Sequence, residues 1–272
     1  MLPTPLVSAS FLADHPALRA RVRFVDARSG GAAAYEAAHL HGAVRADLET
    51  DLSGDTSQPA RGGRHPLPDV ATFARTVGAW GVGPDTPVVV YDAGNGALAA
   101  ARAWWMLRAL GHGLVAVLDG GLAAAREAGL PIDAEPVAPT PADYPAPETW
   151  HLPTVELSEV RELGDRLLLD VRAAERYRGE VEPIDPVAGH IPGATSAPLT
   201  ESLDGERFLP GPQLRAHLDE VLAGHAPEDV IVSCGSGVTA CHTLLALEAA
   251  GLPGAALYVG SWSEWCRQGR AE

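Results

Sequence analysis

Short hydrophobic runs alternate with longer stretches of helical composition along the chain, and this alternation occurs twice. In the second half, Val230–Ser233 has the length and character of a buried strand, and residues 238–250 are predicted to form a helix. The first half has a strand at 87–91 followed by a helix from about Leu98 to Leu110. Each helix stops at a glycine, as C-terminal capping prefers. The alternation predicts βαβ units and an α/β fold with a mainly parallel sheet.

Short motifs recur in the same order in the two halves, which indicates a duplicated unit. The recurring elements are an Asp-x-Arg motif at the end of a strand, then a tyrosine, then a histidine. Because His39 and His190 recur at matching places, we expect both to be structural. The full sets are Asp26, Arg28, Tyr35 and His39 in the first half, and Asp170, Arg172, Tyr177 and His190 in the second.

A proline-rich stretch separates the two copies. Residues 131–153 contain seven prolines, which predicts an extended, semi-stiff linker. We therefore place an N-terminal domain at residues 1–130 and a C-terminal domain at residues 154–272, both of ordinary domain size.

Cys234 follows the predicted strand Val230–Ser233 and precedes the loop Gly235-Ser236-Gly237. The free N–H groups of such a loop, and the positive end of the helix behind it, favour a thiolate over a thiol. This position predicts a functional cysteine. The matching place in the first half holds Asp92, whose carboxylate is a poor nucleophile, so we expect the first half to be catalytically silent.

Charge and cysteine content narrow the possible functions. The net charge of −15 argues against binding to nucleic acid or to anionic membranes. Three cysteines without a Cys-x-x-Cys motif argue against a disulfide framework and against the usual zinc sites, and we expect no metal and no cofactor. We interpret Cys241 as structural and Cys266 as incidental. The odd count fits a reducing compartment, and we see no signal peptide or membrane span, so we expect a cytoplasmic protein.

Four motifs together resemble the tandem-domain rhodanese family of sulfurtransferases, and the resemblance covers nearly the whole chain. It implies two rhodanese-like α/β domains of one fold. It also implies that Cys234 takes a sulfane sulfur from a small donor, forms a persulfide and passes the sulfur to cyanide or to a thiol such as thioredoxin or glutathione. The motifs are Cys-Gly-Ser-Gly-Val-Thr at 234–239, Gly-His-Ile-Pro-Gly-Ala at 189–194, Trp-Trp at 104–105, and Gly-Ser-Trp-Ser-Glu-Trp at 260–265.

The loop after the cysteine distinguishes donors within this family. Members that prefer thiosulfate carry two basic residues there, whereas this chain has Gly235 and Ser236, the pattern of 3-mercaptopyruvate sulfurtransferases. The resemblance therefore implies 3-mercaptopyruvate as the donor, with thiosulfate as the alternative. It also implies that the loop residues contact the substrate, namely Gly235, Gly237, Val238 and Thr239.

The resemblance further implies a proton relay. In mercaptopyruvate enzymes, a serine two residues after the cysteine is proposed to act with a histidine and an acid from the first domain. Ser236 matches the serine, His65 the histidine and Glu49 the acid. We therefore expect the first domain to contribute to the active site without covalent chemistry.

Two arginines hold the substrate carboxylate in that family. Arg176 matches the first. The second should follow Glu182-Pro183, where this chain has Ile184. Arg178 and Arg172 are candidates to compensate for the missing arginine.

Three other functions are weighed against sulfur transfer. Residues 94–99, with Asp119 beyond them, mimic a dinucleotide-binding fingerprint, although this one lies late in its domain. A cysteine phosphatase needs an arginine six residues after the nucleophile, where this chain has Ala240. A non-catalytic persulfide carrier would hold sulfur on Cys234 without turning over small donors.

Overall fold

The computed structural model describes residues 1–29, 31–97 and 99–268, and the chain divides into two compact units. Unit 1 comprises Met1–Leu52, Pro68–His151 and Asp204–Phe208, and unit 2 comprises Ser53–Leu67, Leu152–Leu203 and Leu209–Glu272. The boundaries expected from the sequence assign residues 53–67 to the first domain and residues 204–208 to the second. Both segments are short and lack a long strand or helix, so no hydrophobic pattern indicated which core they join.

Unit 1 is built on a five-stranded parallel sheet. Its elements are β1 (Leu6–Ser8), α1 (Ala9–Asp14), α2 (Pro16–Arg19), β2 (Arg23–Asp26), α3 (Gly31–Ala37), β3 (His39–Leu40), β4 (Val44–Arg45), α4 (Val70–Ala79), β5 (Val88–Tyr91), α5 (Ala99–Ala109), β6 (Val115–Asp119), α6 (Gly121–Glu127) and β7 (Ile132–Asp133). The strand order in the sheet is β1-β6-β5-β2-β4, and β3 pairs separately with β7 in antiparallel orientation.

Unit 2 has a second five-stranded parallel sheet. The elements after residue 153 are β8 (Thr154–Val155), α7 (Leu157–Arg161), β9 (Leu167–Asp170), α8 (Ala174–Tyr177), β10 (Ala194–Ser196), β11 (Leu203–Asp204), β12 (Arg207–Phe208), α9 (Gly211–Leu222), β13 (Val230–Ser233), α10 (Ala240–Ala249), β14 (Ala256–Tyr258) and α11 (Ser261–Gln268), with single 3-10 turns at Leu199–Ser202 and Pro227–Asp229. Its strand order is β10-β9-β13-β14-β8. Strands β11 and β12 pair with each other and, except for Leu203, lie in the segment Asp204–Phe208 of unit 1.

The two sheets have the same topology. Strands β8, β9, β10, β13 and β14 occupy the places of β1, β2, β4, β5 and β6, and all the pairs within each sheet are parallel. The central strands β5 and β13 are buried along their whole length, as strands of a parallel sheet covered on both faces usually are. The prediction of two α/β domains with mainly parallel sheets is confirmed.

The Asp-x-Arg motif forms the same buried ion pair in both units. Arg28 donates from Nε and Nη2 to the carboxylate of Asp26 at 2.9 and 2.7 Å. Arg172 donates in the same way to Asp170 at 2.9 and 2.6 Å. Such bidentate pairs fix geometry strongly, and losing one partner leaves a buried charge without compensation. The recurrence of the pair in both units indicates a structural role.

The two histidines that recur in the sequence also have matching contacts. His39 stacks on Tyr35 at a centroid distance of 4.0 Å, and its Nδ1 donates to the carbonyl oxygen of Tyr35 at 2.8 Å. His190 stacks on Tyr177 at 3.9 Å and donates to its carbonyl oxygen at 2.8 Å. These matching contacts support the structural role predicted for both histidines.

The proline-rich stretch 131–153 is hydrogen-bonded to unit 1 over much of its length. It contributes the short strand β7, Ala142 donates to the carbonyl oxygen of Gly78 at 2.9 Å, and His151 donates to that of Ala109 at 2.7 Å. Proline lacks only its own N–H, so the residues between the prolines can still make these bonds. The proline content therefore indicated an extended backbone but not its attachment to the domain.

Predicted and observed element boundaries differ by one or two residues. The helix predicted from 238 begins at Ala240; Thr239 stands at the N-cap position without a side-chain capping bond, and residues 235–239 form bends and a turn. The helix predicted from Leu98 is α5, and Leu98 itself lies outside the described residues. Within the described residues, no helix has the length and apolar character needed to cross a membrane.

Candidate active site

Cys234 lies at the turn between β13 and α10, with only 1% of its surface exposed. Its N–H donates to Ser261 Oγ at 3.0 Å, and its carbonyl oxygen accepts the N–H of Trp262 at 3.0 Å. Gly237 has φ of +73°, and a Cβ atom there would collide with the carbonyl oxygen of Val259. The loop can therefore form only with glycine at position 237.

Ser261 is one of two described non-glycine residues with positive φ, at +50°. Its hydroxyl donates to the carbonyl oxygen of Tyr258 at 2.8 Å, accepts the N–H of Cys234, and lies 4.0 Å from the Cys234 sulfur. The equivalent residue of unit 1 is Gly121, with φ of +54°. A side chain in this conformation costs conformational energy, and such strain concentrates at functional sites. The signal in the sequence was the serine that stands in the second copy at the place of Gly121.

The segment Gly62–His65 packs against the loop that joins β14 to α11. Gly62 N–H donates to Glu264 Oε1 at 2.8 Å, and Arg64 N–H donates to Ser263 Oγ at 3.0 Å. Between them, a Cβ atom on Gly63 would lie 2.5 Å from the carbonyl oxygen of Gly260. This segment belongs to unit 2, which places His65 in the same unit as Cys234.

His65 and Ser236 form a hydrogen bond of 2.8 Å between Nδ1 and Oγ. Ser236 is only 6% exposed and lies two residues after Cys234, while His65 is partly exposed. A histidine in contact with a buried hydroxyl can pass a proton to or from it. The sequence predicted that these two residues act together, and the structure brings them into contact. Glu49 lies in unit 1, and its participation remains a prediction.

Two guanidinium groups converge on Gly235, the residue that follows Cys234. A Cβ atom on Gly235 would lie 3.2 Å from Arg64 Nη2 and 3.6 Å from both Nη1 and Nη2 of Arg176. Arg176 was expected at the substrate, but Arg64 was not singled out. Its position directly before His65 was the only signal in the sequence.

Buried carboxylates orient these arginines. Arg176 donates to Glu182 Oε1 at 2.6 Å, and Arg64 donates through Nε and Nη2 to Asp185 at 3.1 and 3.3 Å. Arg267 adds a second contact to Asp185 at 2.9 Å. The carboxylate side chains are 0% (Asp185) and 4% (Glu182) exposed, whereas the three arginines are partly exposed.

Glu182 is held as a carboxylate. Burial alone would raise its pKa, but the hydrogen bonds from Arg176 and from the backbone N–H groups of Asp185 and Ile184 outweigh burial and lower the pKa below its ordinary value. Ile184 thus contributes its N–H to the turn, while its side chain is 55% exposed.

The two arginines considered as replacements at position 184 have other partners. Arg172 is 1% exposed, is bound to Asp170 and Glu182, and lies 5.1 Å from the ring centroid of Trp262. Arg178 is 54% exposed and pairs with Glu180 at 2.7 Å. Both arginines are therefore accounted for by these structural and surface contacts.

The other two cysteines differ from Cys234 in their surroundings. Cys241 lies inside α10, and its thiol donates to the carbonyl oxygen of Gly237 at 3.4 Å. Burial and the nearby negative charge of Asp185 raise the pKa of Cys266. Within the described residues, no group of three or more His, Cys, Asp or Glu side chains is arranged to hold a metal ion.

The loop of unit 1 that corresponds to the Cys234 loop binds a side-chain oxygen of Asp92. Asp92 Oδ1 accepts the N–H groups of Gly94 and Gly96 at 3.1 and 3.0 Å. Asp92 is 2% exposed, and its carbonyl oxygen accepts the N–H of Leu122 at 2.9 Å, as that of Cys234 accepts Trp262. In the run 94–99, two of the N–H groups needed for a dinucleotide phosphate are thus taken by the protein's own carboxylate, which disfavours nucleotide binding.

Comparison with known proteins gives consistent matches. The family model of the Rhodanese-like domain matches residues 12–128 and again residues 154–268. A Pseudomonas aeruginosa protein named "Probable 3-mercaptopyruvate sulfurtransferase" is 48% identical over 87% of this chain and 84% of its own length. A Mycobacterium tuberculosis protein named "Putative thiosulfate sulfurtransferase SseB" is 42% identical over 86% of this chain and 82% of its own length. The solved 3-mercaptopyruvate sulfurtransferase from Leishmania major superposes with a TM-score of 0.83 at 31% identity, covering 96% of this chain and 74% of that one.

Replacing Ser261 by glycine tests the contact that holds Cys234. Glycine suits the positive φ, as Gly121 does in unit 1, so we expect S261G to fold. Without the hydroxyl, the buried N–H of Cys234 loses its acceptor, which should lower the free energy of unfolding by about 1–3 kcal/mol. Urea denaturation measures this, with Ser10→Gly at the exposed start of α1 as a surface control. An unfolding free energy equal to that of the wild type would contradict a supporting role for Ser261.

Proposed function

The chain belongs to the family of rhodanese-like domains, of which it carries two copies, and we propose that it transfers a sulfane sulfur from 3-mercaptopyruvate through a persulfide on Cys234. The acceptor is a thiol or cyanide. The observation that carries the choice of donor is the hydrogen bond of 2.8 Å between His65 and Ser236 beside the cysteine. The carbon leaving group of mercaptopyruvate needs a proton, whereas the sulfite that leaves thiosulfate does not.

The proposed reaction begins with attack of the Cys234 thiolate on the donor sulfur. A sulfur–sulfur bond forms, the carbon–sulfur bond breaks, and its electron pair passes to the pyruvate enolate. The enolate takes a proton and becomes pyruvate, while the persulfide loses the proton that the donor thiol carried. In this proposal Ser236 donates a proton to the developing enolate, and His65 resupplies it. An acceptor thiolate then attacks the outer sulfur and releases the Cys234 thiolate.

The loop N–H groups are proposed to hold the outer sulfur of the persulfide. This sulfur is as many bonds from its Cα atom as Oδ1 of Asp92 is from its own. Asp92 Oδ1 accepts N–H groups two and four residues further along, from Gly94 and Gly96. In unit 2, the residues two and four places after Cys234 are Ser236 and Val238. Their N–H groups would stabilise the sulfur anion as an oxyanion hole stabilises oxygen.

The remaining predicted site residues take supporting roles in this proposal. Gly235 leaves the arginines access to the loop backbone, and Gly237 provides its positive φ. Thr239 directly precedes α10, whose N-terminus favours negative charge. Arg176 binds the donor carboxylate. Glu49 would stabilise the charge on His65.

We also propose that unit 1, with Asp92 at the nucleophile position, does no covalent chemistry. The silent domain is residues 1–130, the connecting stretch is residues 131–153, and the catalytic domain is residues 154–272. Residues 53–67 function as part of the catalytic unit although they lie within the first range. Thioredoxin or glutathione supplies the acceptor thiol, and the reaction takes place in the cytoplasm, where cysteines stay reduced.

Comparing two donors tests the proposed substrate. We expect kcat/KM to be higher for 3-mercaptopyruvate than for thiosulfate. Positions 235 and 236 carry no basic side chain, and Arg64 and Arg176 beside the loop are each bonded to a carboxylate. Thiosulfate therefore loses a direct charge partner, which costs it about 1–3 kcal/mol, or roughly 5- to 150-fold. Pyruvate release and thiocyanate formation measure the two reactions with cyanide as common acceptor. A ratio in favour of thiosulfate would refute the choice of donor, and persulfide formation without turnover of either donor would indicate a carrier.

Replacing His65 tests the proton relay. H65N should lower kcat for mercaptopyruvate by about 10²-fold, the lower end of general acid–base contributions, and should affect thiosulfate less. S236A should behave similarly, and E49Q should show a smaller loss of the same kind. His217→Asn, on α9, serves as a control histidine variant. Small and equal losses with both donors would leave His65 a structural residue and overturn the relay.

A further inference from the structure

The donor carboxylate lacks the second arginine that would follow Glu182-Pro183, because Ile184 stands there with an exposed side chain. We infer that Arg64 supplies this second cation and binds the donor carboxylate together with Arg176. The inference rests on the proposed function and identifies the residue that selects a donor with a carboxylate group. Arg64, from residues 53–67 of unit 2, would take the place of an arginine at position 184 of the same unit.

The position of the two guanidinium groups supports this pairing. Both lie within 3.6 Å of the point where Gly235 would carry a Cβ atom, one residue from the Cys234 nucleophile. Arg64 Nε and Nη2 bond to Asp185, and Arg176 Nε and Nη2 bond to Glu182. In the part of the chain that the structure describes, the Nη1 group of each arginine has no protein acceptor. Each arginine therefore keeps N–H donors for a ligand, and two such groups suit the two oxygens of a carboxylate.

The arginine side chains are more exposed than the carboxylates that they bind, so the positive groups are the ones accessible to a ligand. The side chains of Arg64 and Arg176 are 21% and 18% exposed, whereas those of Asp185 and Glu182 are 0% and 4% exposed. The carboxylates thus orient the arginines from behind and do not present negative charge to an incoming anion.

The charge balance of this network matches a monoanion. Four arginines are ion-paired to three carboxylates, which leaves one positive charge in a protein whose net charge is −15. A single donor carboxylate neutralises this excess. The arginines are Arg64, Arg172, Arg176 and Arg267, and the carboxylates are Asp170, Glu182 and Asp185.

Arg64 also has the backbone support that a binding residue needs. Its N–H is fixed by Ser263 Oγ at 3.0 Å, and the preceding Gly63 packs against the Gly260 carbonyl. The neighbouring His65 is bonded to Ser236. One short segment therefore supplies both a carboxylate ligand and the proton relay, so a donor held by Arg64 is held in register with Ser236.

The test uses two donors that differ only in the carboxylate. R64Q should raise KM for 3-mercaptopyruvate about tenfold or more, the loss expected for one charge-assisted hydrogen bond, with a smaller change in kcat. KM for mercaptoacetone, the uncharged analogue without the carboxylate, should stay unchanged. R64K should recover part of the loss, because it keeps the charge without the planar fork. R267Q is the matched control, since Arg267 also bonds Asp185 but is not among the groups nearest Gly235.

Pyruvate binding separates this inference from the proposed function. Calorimetric titration of pyruvate into C234S and into the double variant C234S/R64Q measures carboxylate binding without turnover. We expect about tenfold weaker binding to the double variant. This result would support the Arg64 contact even if mercaptopyruvate proves not to be a substrate. Equal pyruvate affinity in the two proteins would overturn the inference. So would an equal rise in KM for both donors, or a loss in R267Q as large as in R64Q, because either would reduce Arg64 to a support for Asp185 or for the loop.

Discussion

The proposed site depends on one close backbone contact, between Gly63 and the carbonyl oxygen of Gly260. A Cβ atom at position 63 would lie 2.5 Å from that oxygen, a distance that side chains do not tolerate, so only glycine allows the approach. The flanking N–H groups of Gly62 and Arg64 bond to Glu264 and Ser263. The Tyr258 hydroxyl donates to Glu264 at 2.9 Å and so fixes it in turn. Burial, and to a lesser extent the negative charge of Glu264, raises the pKa of Tyr258. This contact fixes the backbone that carries Arg64 and His65 beside the Cys234 loop.

The two units illustrate how a duplicated fold diverges at a single loop. Asp92 and Cys234 occupy equivalent turns, and each has its carbonyl oxygen bonded to the N–H of the residue after a positive-φ position. In unit 1 that position is Gly121. The N–H groups of Gly94 and Gly96 in this loop bind the Asp92 side chain of the same loop. In unit 2 the corresponding serine, Ser261, adds a hydroxyl that supports the cysteine backbone. The scaffold is thus retained while the anion that the loop binds changes from a side chain to a proposed reaction intermediate.

The sequence predicted the parts of the structure that follow from local pattern. Strand β13 has the predicted bounds, and the repeated Tyr–His pairs and the contact between His65 and Ser236 followed from repetition and from the family resemblance. Arg64 could not be found in this way, because its place beside Gly235 depends on residues 53–67 joining unit 2. Glycine backbone contacts and a few polar hydrogen bonds hold this segment to unit 2, and such contacts produce no periodic pattern of hydrophobic residues in the sequence. Asp185 was missed for a similar reason, since its burial depends on arginines from three separate segments.

Cys234 alone is proposed to carry the transferred sulfur, in a loop whose N–H groups hold it as an anion. Peptide mass spectrometry of the protein treated with 3-mercaptopyruvate and then alkylated without reduction measures where the sulfur lies. We expect the added mass of one sulfur atom on the peptide that carries Cys234, retained in Cys241→Ser and Cys266→Ser and absent in Cys234→Ser. Added sulfur on Cys241 or Cys266, or its retention in folded Cys234→Ser, would rule out Cys234 as the single sulfur carrier.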